Sequence, residues 1–142
     1  DLATPLEEID RFFTYKNEFY PNAKAIIGSR VKRLGSEIDR SFSRHVLGRI
    51  FSTVVDSLFK LQCYDTQCGA KLFQADIIND FVHHPFISKW AFDVELLIRI
   101  KQHEVVEYPV SEWKDVAGSK LNVRKIAPQI LRDLHKMNKQ YK

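Results

Sequence analysis

A polar loop at residues 65–73, DTQCGAKLF, holds the side chains best suited to chemistry in this sequence. Asp65 and Gln67 can hydrogen-bond a substrate, and Gly69 tolerates a positive φ at no steric cost, so a tight loop would present both side chains from a strand or helix end. Two interpretations stay open from the residues alone. Asp65 is either a working carboxylate or an ordinary turn residue that bonds its own backbone.

Three arginines and a serine offer ligands for an anion. Arg30 follows a short apolar run and a glycine, while Arg40, Ser43 and Arg44 lie in a stretch with helical periodicity. Arg40 and Arg44 are one turn apart, so they would share a helix face and could hold one phosphate together. The alternative is a strand end and a helix face that are simply solvated.

Two further carboxylates, Asp93 and Glu95, come early in a predicted helix, where exposed N–H groups stabilise negative charge and capping is an alternative explanation. Residues two apart do not share a helix face, so we expect at most one to point into a site, and we select Asp93. His83 and His84 have no matching ligand set and are predicted to end a helix.

Four segments, taken in order, resemble the family 2 glycosyltransferases that move a sugar from a nucleotide to a polyprenyl or dolichyl phosphate. They are AIIGSR at 25–30, DTQCGAKLF at 65–73, WAFDVELL at 90–97 and GSKL at 118–121. The likeness is greatest to the dolichyl-phosphate β-glucosyltransferase branch. Asp115 stands where the related mannosyltransferases have an arginine, which also favours the glucosyl branch.

The resemblance implies an α/β fold in which residues 1–142 form one domain, the C-terminal, acceptor-side half of a GT-A fold. Its mixed sheet would be flanked by helices, and the nucleotide-binding half would be absent. The opening DLATP is similar to the residues that begin at the last carboxylate of the family's D-A-D type metal motif. Asp1 would therefore be a metal ligand without its partner carboxylate, although a helix dipole explains an acidic residue there equally well.

The resemblance also implies roles for individual residues. Asp65 would be the base or orienting carboxylate, with Asp93 as the second catalytic candidate. Arg30 would bind the acceptor phosphate together with Arg40, Ser43 and Arg44. Gln67 and Lys120 would contact the donor and its diphosphate.

The implied reaction is inverting transfer of glucose from UDP-glucose to a polyprenyl or dolichyl phosphate, with Mg²⁺ or Mn²⁺ in the full-length enzyme. A lipid phosphate is already an anion, so arginines matter more than a strong base. Residues 1–142 alone are expected to be inactive. The alternatives are a family 2 enzyme with another sugar or a soluble acceptor, and a basic phosphate- or lipid-binding module without catalysis.

Bulk composition agrees with a folded domain. Of the 142 residues, 44% are hydrophobic and 28% charged, which is typical of a globular chain. A net charge of +4 suits nucleotide phosphates, lipid phosphate or an anionic membrane surface, whereas no basic-aromatic interleaving supports nucleic acid. No apolar run approaches the twenty or so residues of a membrane span. Cys63 and Cys68 predict neither a zinc site nor a disulfide, which suggests a reduced, cytoplasmic setting. The resemblance implies a position peripheral to, or facing, a membrane.

Periodicity predicts the elements that position these residues. We expect helices at 4–17, 37–61, 75–82, 92–102 and 127–138, strands at 25–27, 72–73 and 105–110, and a polar loop at 113–122. Thr4 and Pro5 predict a capped start for the first helix. The longest helix rests on apolar residues every four positions from Ile38 onward.

Overall fold

The apolar run Ala25–Ser29 forms the central strand, β1, of a computed structural model that describes residues 3–100, 102–114 and 123–141. All five residues of β1 are buried. Alternate side chains of a strand point to opposite faces. Ile26 packs with Phe12 on one face of the sheet, and Ile27 packs with Leu97 on the other. A strand covered on both faces has no solvent side, which explains the unbroken apolar run at positions 25–27.

The remaining elements follow in chain order. The helices are α1 (Glu7–Phe19), α2 (Phe42–Phe59), α3 (Ala75–His83), α4 (Phe92–Arg99) and α5 (Val123–Gln140). The other strands are β2 (Glu37–Asp39), β3 (Lys71–Phe73), β4 (Val105–Pro109) and β5 (Glu112–Lys114), and a 3₁₀ turn at Gln102–Glu104 precedes β4.

The main sheet has the strand order β3-β1-β4 and is mixed. β1 runs antiparallel to β3, and it runs parallel to β4 with Ser29 opposite Pro109. A second, two-stranded parallel sheet joins β2 to β5 and sets Ile38 opposite Trp113. The predicted α/β class, with a small mixed sheet flanked by helices, is therefore confirmed.

Helices cover the sheet on both faces. Phe12 of α1 is buried against one face, and Ile77 of α3 and Leu97 of α4 are buried against the other. A third apolar cluster unites α2, α4 and α5 around Val55, Val94 and Leu134. α2 and α5 thus form a helical layer with α4, which is shared between that layer and the sheet.

Several predicted boundaries are wrong, and the largest error concerns residues 37–61. Residues 37–39 form β2, and α2 begins only at Phe42. Ile38 continues the four-residue spacing of the helix, but it packs against the cluster that contains Trp113 on β5. A local repeat carries no information about that distant strand, so the sequence pattern extended the helix too far.

Smaller differences lie at other element ends. α1 starts after Leu6, and no side chain caps it, so the predicted Thr4 cap does not form. α4 ends at Arg99, whereas α5 is longer than predicted and contains Pro128. The predicted polar loop at 113–122 overlaps β5, and its remainder lies outside the described residues. Among the described residues, no helix is both long enough and apolar enough to cross a membrane.

Candidate active site around the Asp65 loop

Gly28 brings the polar loop onto the end of β1. Its N–H donates to the carbonyl of Ala70 at 2.8 Å. A Cβ atom on Gly28 would lie only 3.0 Å from that oxygen and 3.1 Å from Cys68 Sγ. Since such contacts are tighter than packed side chains normally make, the glycine allows the loop to approach the strand just before Arg30.

Arg30 and Asp65 meet at this point in a bidentate ion pair. Arg30 Nε donates to Asp65 Oδ2 at 2.6 Å, and Nη2 donates to Oδ1 at 2.7 Å. The backbone N–H of Arg30 adds a third bond to Oδ2 at 3.2 Å. The Asp65 side chain therefore binds an arginine that is distant in the sequence. The residues alone had left open whether this carboxylate bonds only its own turn. Arg30 also lies over the Trp113 ring at 5.2 Å.

The electrostatic setting keeps Asp65 ionised. Burial by itself would raise its pKa, but the hydrogen bonds and positive charge of Arg30 outweigh burial and lower the pKa below its ordinary value. A carboxylate with a lowered pKa is a weak proton acceptor near neutrality. The geometry therefore suits Asp65 to orienting and electrostatic work more than to removing a proton.

Arg40 adds a second positive charge near this pair. Burial lowers the pKa of Arg40, and the charge of Arg30 lowers it further, while Asp65 acts in the opposite direction. Arg40 Nη2 donates to the backbone carbonyl of Arg44 at 3.1 Å. The guanidinium also lies so close to Gly48 that a Cβ there would collide with it.

The prediction that Arg40 and Arg44 share a helix face is wrong, because Arg40 precedes the first residue of α2. Their joint hold on a phosphate was inferred from that spacing and stays a prediction. Ser43, in the first turn of α2, is exposed, with its Oγ 3.4 Å from the Oγ of Ser41. The start of α2 has no side-chain cap and no acidic residue in its first turn. Unpaired N–H groups at such a terminus favour an anion.

Asp93 forms an ion pair with Lys71, the first residue of β3. Its Oδ1 is 2.7 Å from Lys71 Nζ, which also donates to the carbonyl of Cys68. Glu95 is fully buried and accepts hydrogen bonds from the backbone of Ile87 and from Tyr141, each at 2.8 Å. Asp93 thus contacts Lys71 beside the loop, whereas Glu95 is bonded elsewhere in the core, and the selection of Asp93 as a site residue stays a prediction.

The loop also carries polar atoms without partners. Thr66 Oγ1 and Gln67 Nε2 are buried and make no hydrogen bond within the part of the chain that the structure describes. A buried donor or acceptor left unsatisfied costs about 1–3 kcal/mol, which a bound ligand would recover. The position of Gln67 is therefore compatible with the predicted contact to a substrate.

Two residues that the sequence did not single out hold the loop in place. Glu107 on β4 accepts the backbone N–H groups of Tyr64 and Asp65, at 2.9 and 2.8 Å. Arg49 on α2 donates to the carbonyl of Tyr64 at 2.8 Å and stacks on its ring. An acidic residue in an otherwise apolar strand was the available signal for Glu107. Arg49 gave none, because a charge on an amphipathic helix is ordinary.

The predicted metal ligand Asp1 and the predicted diphosphate ligand Lys120 lie outside the described residues. Within 3–100, 102–114 and 123–141, no three metal-ligating side chains are grouped to hold an ion. The described residues therefore do not fit a metal site by themselves. Cys63 and Cys68 are free thiols, and burial, together with nearby Glu107, raises the pKa of Cys63 to about 12.

Comparison with known proteins gives a consistent set of relatives. The chain is 30% identical to the dolichyl-phosphate beta-glucosyltransferase of Dictyostelium discoideum over 99% of its length, which is 44% of that protein. The yeast protein of that name, from Saccharomyces cerevisiae, is 32% identical over 94% of this chain and 41% of its own length. The human protein is 33% identical over 85% of this chain and 39% of its own length.

The chain thus spans about two fifths of the curated relatives it matches. No family model matches it, and no solved structure does. Over most of its length, the chain is related to proteins named dolichyl-phosphate beta-glucosyltransferase, a family 2 glycosyltransferase-like relationship.

Proposed function

We propose that the protein containing this chain transfers glucose from UDP-glucose to a polyprenyl or dolichyl phosphate with inversion, and that this chain forms the acceptor-side half of its GT-A fold. The names of the relatives support the reaction class. The structural observation that supports it most is the buried bidentate pair of Arg30 with Asp65, together with the positive charge of Arg40, whose pKa responds to both members of that pair.

The acceptor phosphate binds beside these arginines. Arg30, Arg40 and Arg49 carry three positive charges against the carboxylates of Asp65 and Glu107, so the group as a whole attracts an anion. The N–H groups of the first turn of α2 add a favourable partial charge, and Ser43 and Arg44 lie in the same turn. Asp65 fixes the guanidinium plane of Arg30, so the arginine meets the phosphate already oriented.

This arrangement matches the chemistry of a phosphate acceptor. The attacking oxygen belongs to an anion, so the reaction needs positioning and charge stabilisation more than proton removal. Asp65, whose pKa is lowered, works by orienting Arg30. Gln67 contacts the donor, and Lys120 contacts the donor's diphosphate. Asp93, which is paired with Lys71, is the alternative catalytic carboxylate. Mg²⁺ or Mn²⁺, held by Asp1 with ligands outside the described residues, would neutralise diphosphate charge.

The exposed apolar face of α2 gives the site access to a lipid. Phe42, Val46 and Ile50 recur every four residues and are 81%, 37% and 56% exposed. Leu34, at the tip of a basic loop with Lys32 and Arg33, is fully exposed. An apolar stripe rimmed by basic residues is the pattern of a helix that lies in an anionic membrane surface. We propose that this face docks on the cytoplasmic surface of a membrane.

The test uses the natural full-length protein with UDP-glucose, dolichyl phosphate and Mg²⁺ or Mn²⁺, and it measures formation of the glucosylated lipid. Wild type should be active, and Arg40→Ala should raise the KM for dolichyl phosphate at least tenfold. Arg132→Ala, an exposed arginine change on α5, is the matched control. Dolichyl phosphate binding without any transfer would instead support the phosphate-binding module.

The isolated chain provides a second test. Residues 1–142 should release no UDP under the same conditions, because they span only about two fifths of the relatives they match. Clear turnover by residues 1–142 would contradict the assignment of this chain to one half of the enzyme.

A further inference from the structure

Glu107 is a half-buried carboxylate on β4 whose two oxygens both face the polar loop. Oε2 accepts the N–H of Tyr64 at 2.9 Å, and Oε1 accepts the N–H of Asp65 at 2.8 Å. Cys63 Sγ lies 3.7 Å from Oε1 and donates to it. One side chain thus holds three consecutive residues that end at Asp65.

The sheet ties Glu107 rigidly to Arg30. In the parallel pairing of β1 and β4, Glu107 lies opposite Ile27, and Arg30 follows directly after the last residue of β1. Asp65 is therefore attached twice to the same sheet. Its backbone binds Glu107 on one strand, and its side chain binds Arg30 beyond the neighbouring strand.

A carboxylate at this position is electrostatically unfavourable, so its presence calls for a compensating interaction. Burial raises the pKa of Glu107, and the negative charge of Asp65 raises it further. The adjacent strand residues Val106 and Tyr108 are apolar or aromatic and pack against the core. An apolar residue would avoid the electrostatic cost, but it could not accept two backbone N–H groups.

We propose that Glu107 is a positioning residue for Asp65: by holding the Tyr64 and Asp65 amides, it sets the carboxylate in register with the Arg30 guanidinium. The expected effect of Glu107 on turnover rests on the proposed function, whereas its expected effect on the geometry of the Arg30–Asp65 pair does not. Arg49 supports the same segment from α2 by binding the Tyr64 carbonyl.

Two variants of Glu107 test this proposal. Glu107→Gln keeps the size of the side chain, but only one of its terminal atoms can accept an N–H. Glu107→Asp keeps the charge and is one methylene shorter, so it cannot reach both amides. This variant replaces Glu107→Gln in the experiment if the glutamine variant folds poorly. Glu104→Gln, which removes a carboxylate ion-paired with Lys24 just before β4, is the matched control.

The primary measurement is independent of catalysis. In NMR spectra, the Nε–H of Arg30 should give a protected signal in the wild type and in Glu104→Gln. In both Glu107 variants, the Nε–H of Arg30 and the amides of Tyr64 and Asp65 should exchange hydrogen at least tenfold faster. The reason is that the variants lose hydrogen bonds between these amides and a charged carboxylate. In the active full-length enzyme, kcat should fall by roughly 10- to 100-fold, the range expected for a small misplacement.

The outcomes separate the two proposals. Unchanged Arg30 Nε–H exchange in folded Glu107 variants, with a lowered melting temperature alone, would overturn the positioning role and make Glu107 a purely structural residue. A wild-type protein without transferase activity would contradict the proposed function, while the exchange measurements would still decide the role of Glu107.

Discussion

Arg30 and Asp65 are separated by 35 positions in the chain, yet they form a bidentate ion pair with N–O distances of 2.6 and 2.7 Å. Both side chains are largely buried, at 11% and 8% exposure. Removing one partner from such a pair leaves the other charge poorly solvated. The pair therefore contributes to stability as well as to the proposed site, and the two contributions have to be measured separately.

Asp65→Asn should separate them in the full-length enzyme. The amide retains the size of the side chain but loses the charge that fixes Arg30, so we expect turnover to fall about 10²-fold, the lower end for a positioned carboxylate. Stability should fall by about 3 kcal/mol, the lower end for a broken buried pair, because the asparagine oxygen can still accept one bond. Turnover and melting temperature are measured on one preparation. Asp133→Asn, which alters a buried acid on α5, is the control.

Normal turnover in Asp65→Asn with a lowered melting temperature would assign Asp65 to the scaffold. Asp93, which is ion-paired with Lys71, would then be the better catalytic carboxylate.

The free energy of unfolding at acid pH should depend on the same ion pair of Arg30 and Asp65. Since the pKa of Asp65 is lowered in the folded state, the unfolded chain binds its proton more readily. The stabilisation is therefore complete above the ordinary pKa of about 4 and is lost as the pH falls through the lower folded value. Urea unfolding at pH 3 to 7 should show the stability gap between wild type and Asp65→Asn shrinking below about pH 4. A gap that is constant across this range would contradict the lowered pKa.

Gly48→Ala should impair acceptor binding without weakening the fold. Alanine in a helix interior is favoured over glycine by up to about 1 kcal/mol, so the melting temperature should stay level or rise. The new Cβ would displace the guanidinium of Arg40, whose flexible end can move. We expect the KM for dolichyl phosphate to increase several-fold. Ser57→Ala, at an exposed position of the same helix, raises helix propensity without touching Arg40. A KM that is unchanged in Gly48→Ala would show that this position of Arg40 is not needed.

Phe42→Ser should weaken binding to anionic vesicles. Phe42 is 81% exposed, so the melting temperature should change little, whereas inserting its ring into lipid contributes about 1.5–3 kcal/mol. Binding to vesicles that contain phosphatidylserine should fall roughly tenfold or more. Val82→Ser changes an apolar residue on α3 that is 71% exposed and should leave binding intact. Equal losses in both variants would mean that α2 is not the membrane-facing helix.

The sequence alone determined the elements whose signals are local. β1 is a continuous apolar run because both of its faces are covered, and α3 follows from a short amphipathic repeat. The polar loop was recognisable from Asp65, Gly69 and the residues between them, since loop-forming residue types act over a few positions. Gly69 does not adopt the positive φ that its residue type allows, so that part of the prediction is wrong. The similarity to dolichyl-phosphate beta-glucosyltransferases likewise depended only on the order of short segments.

The tertiary structure decided which distant residues meet. Ile38 fits a helix by spacing and is a strand residue because β5 pairs with it. Arg40 has no helical relation to Arg44, because α2 begins only at Phe42. Asp65 has Arg30 as its partner because Gly28 lets the loop approach β1. Glu107 holds the Asp65 amide because β4 lies beside β1. Periodicity is a property of neighbours in the chain, whereas these contacts are set by sheet pairing and packing between segments far apart in it.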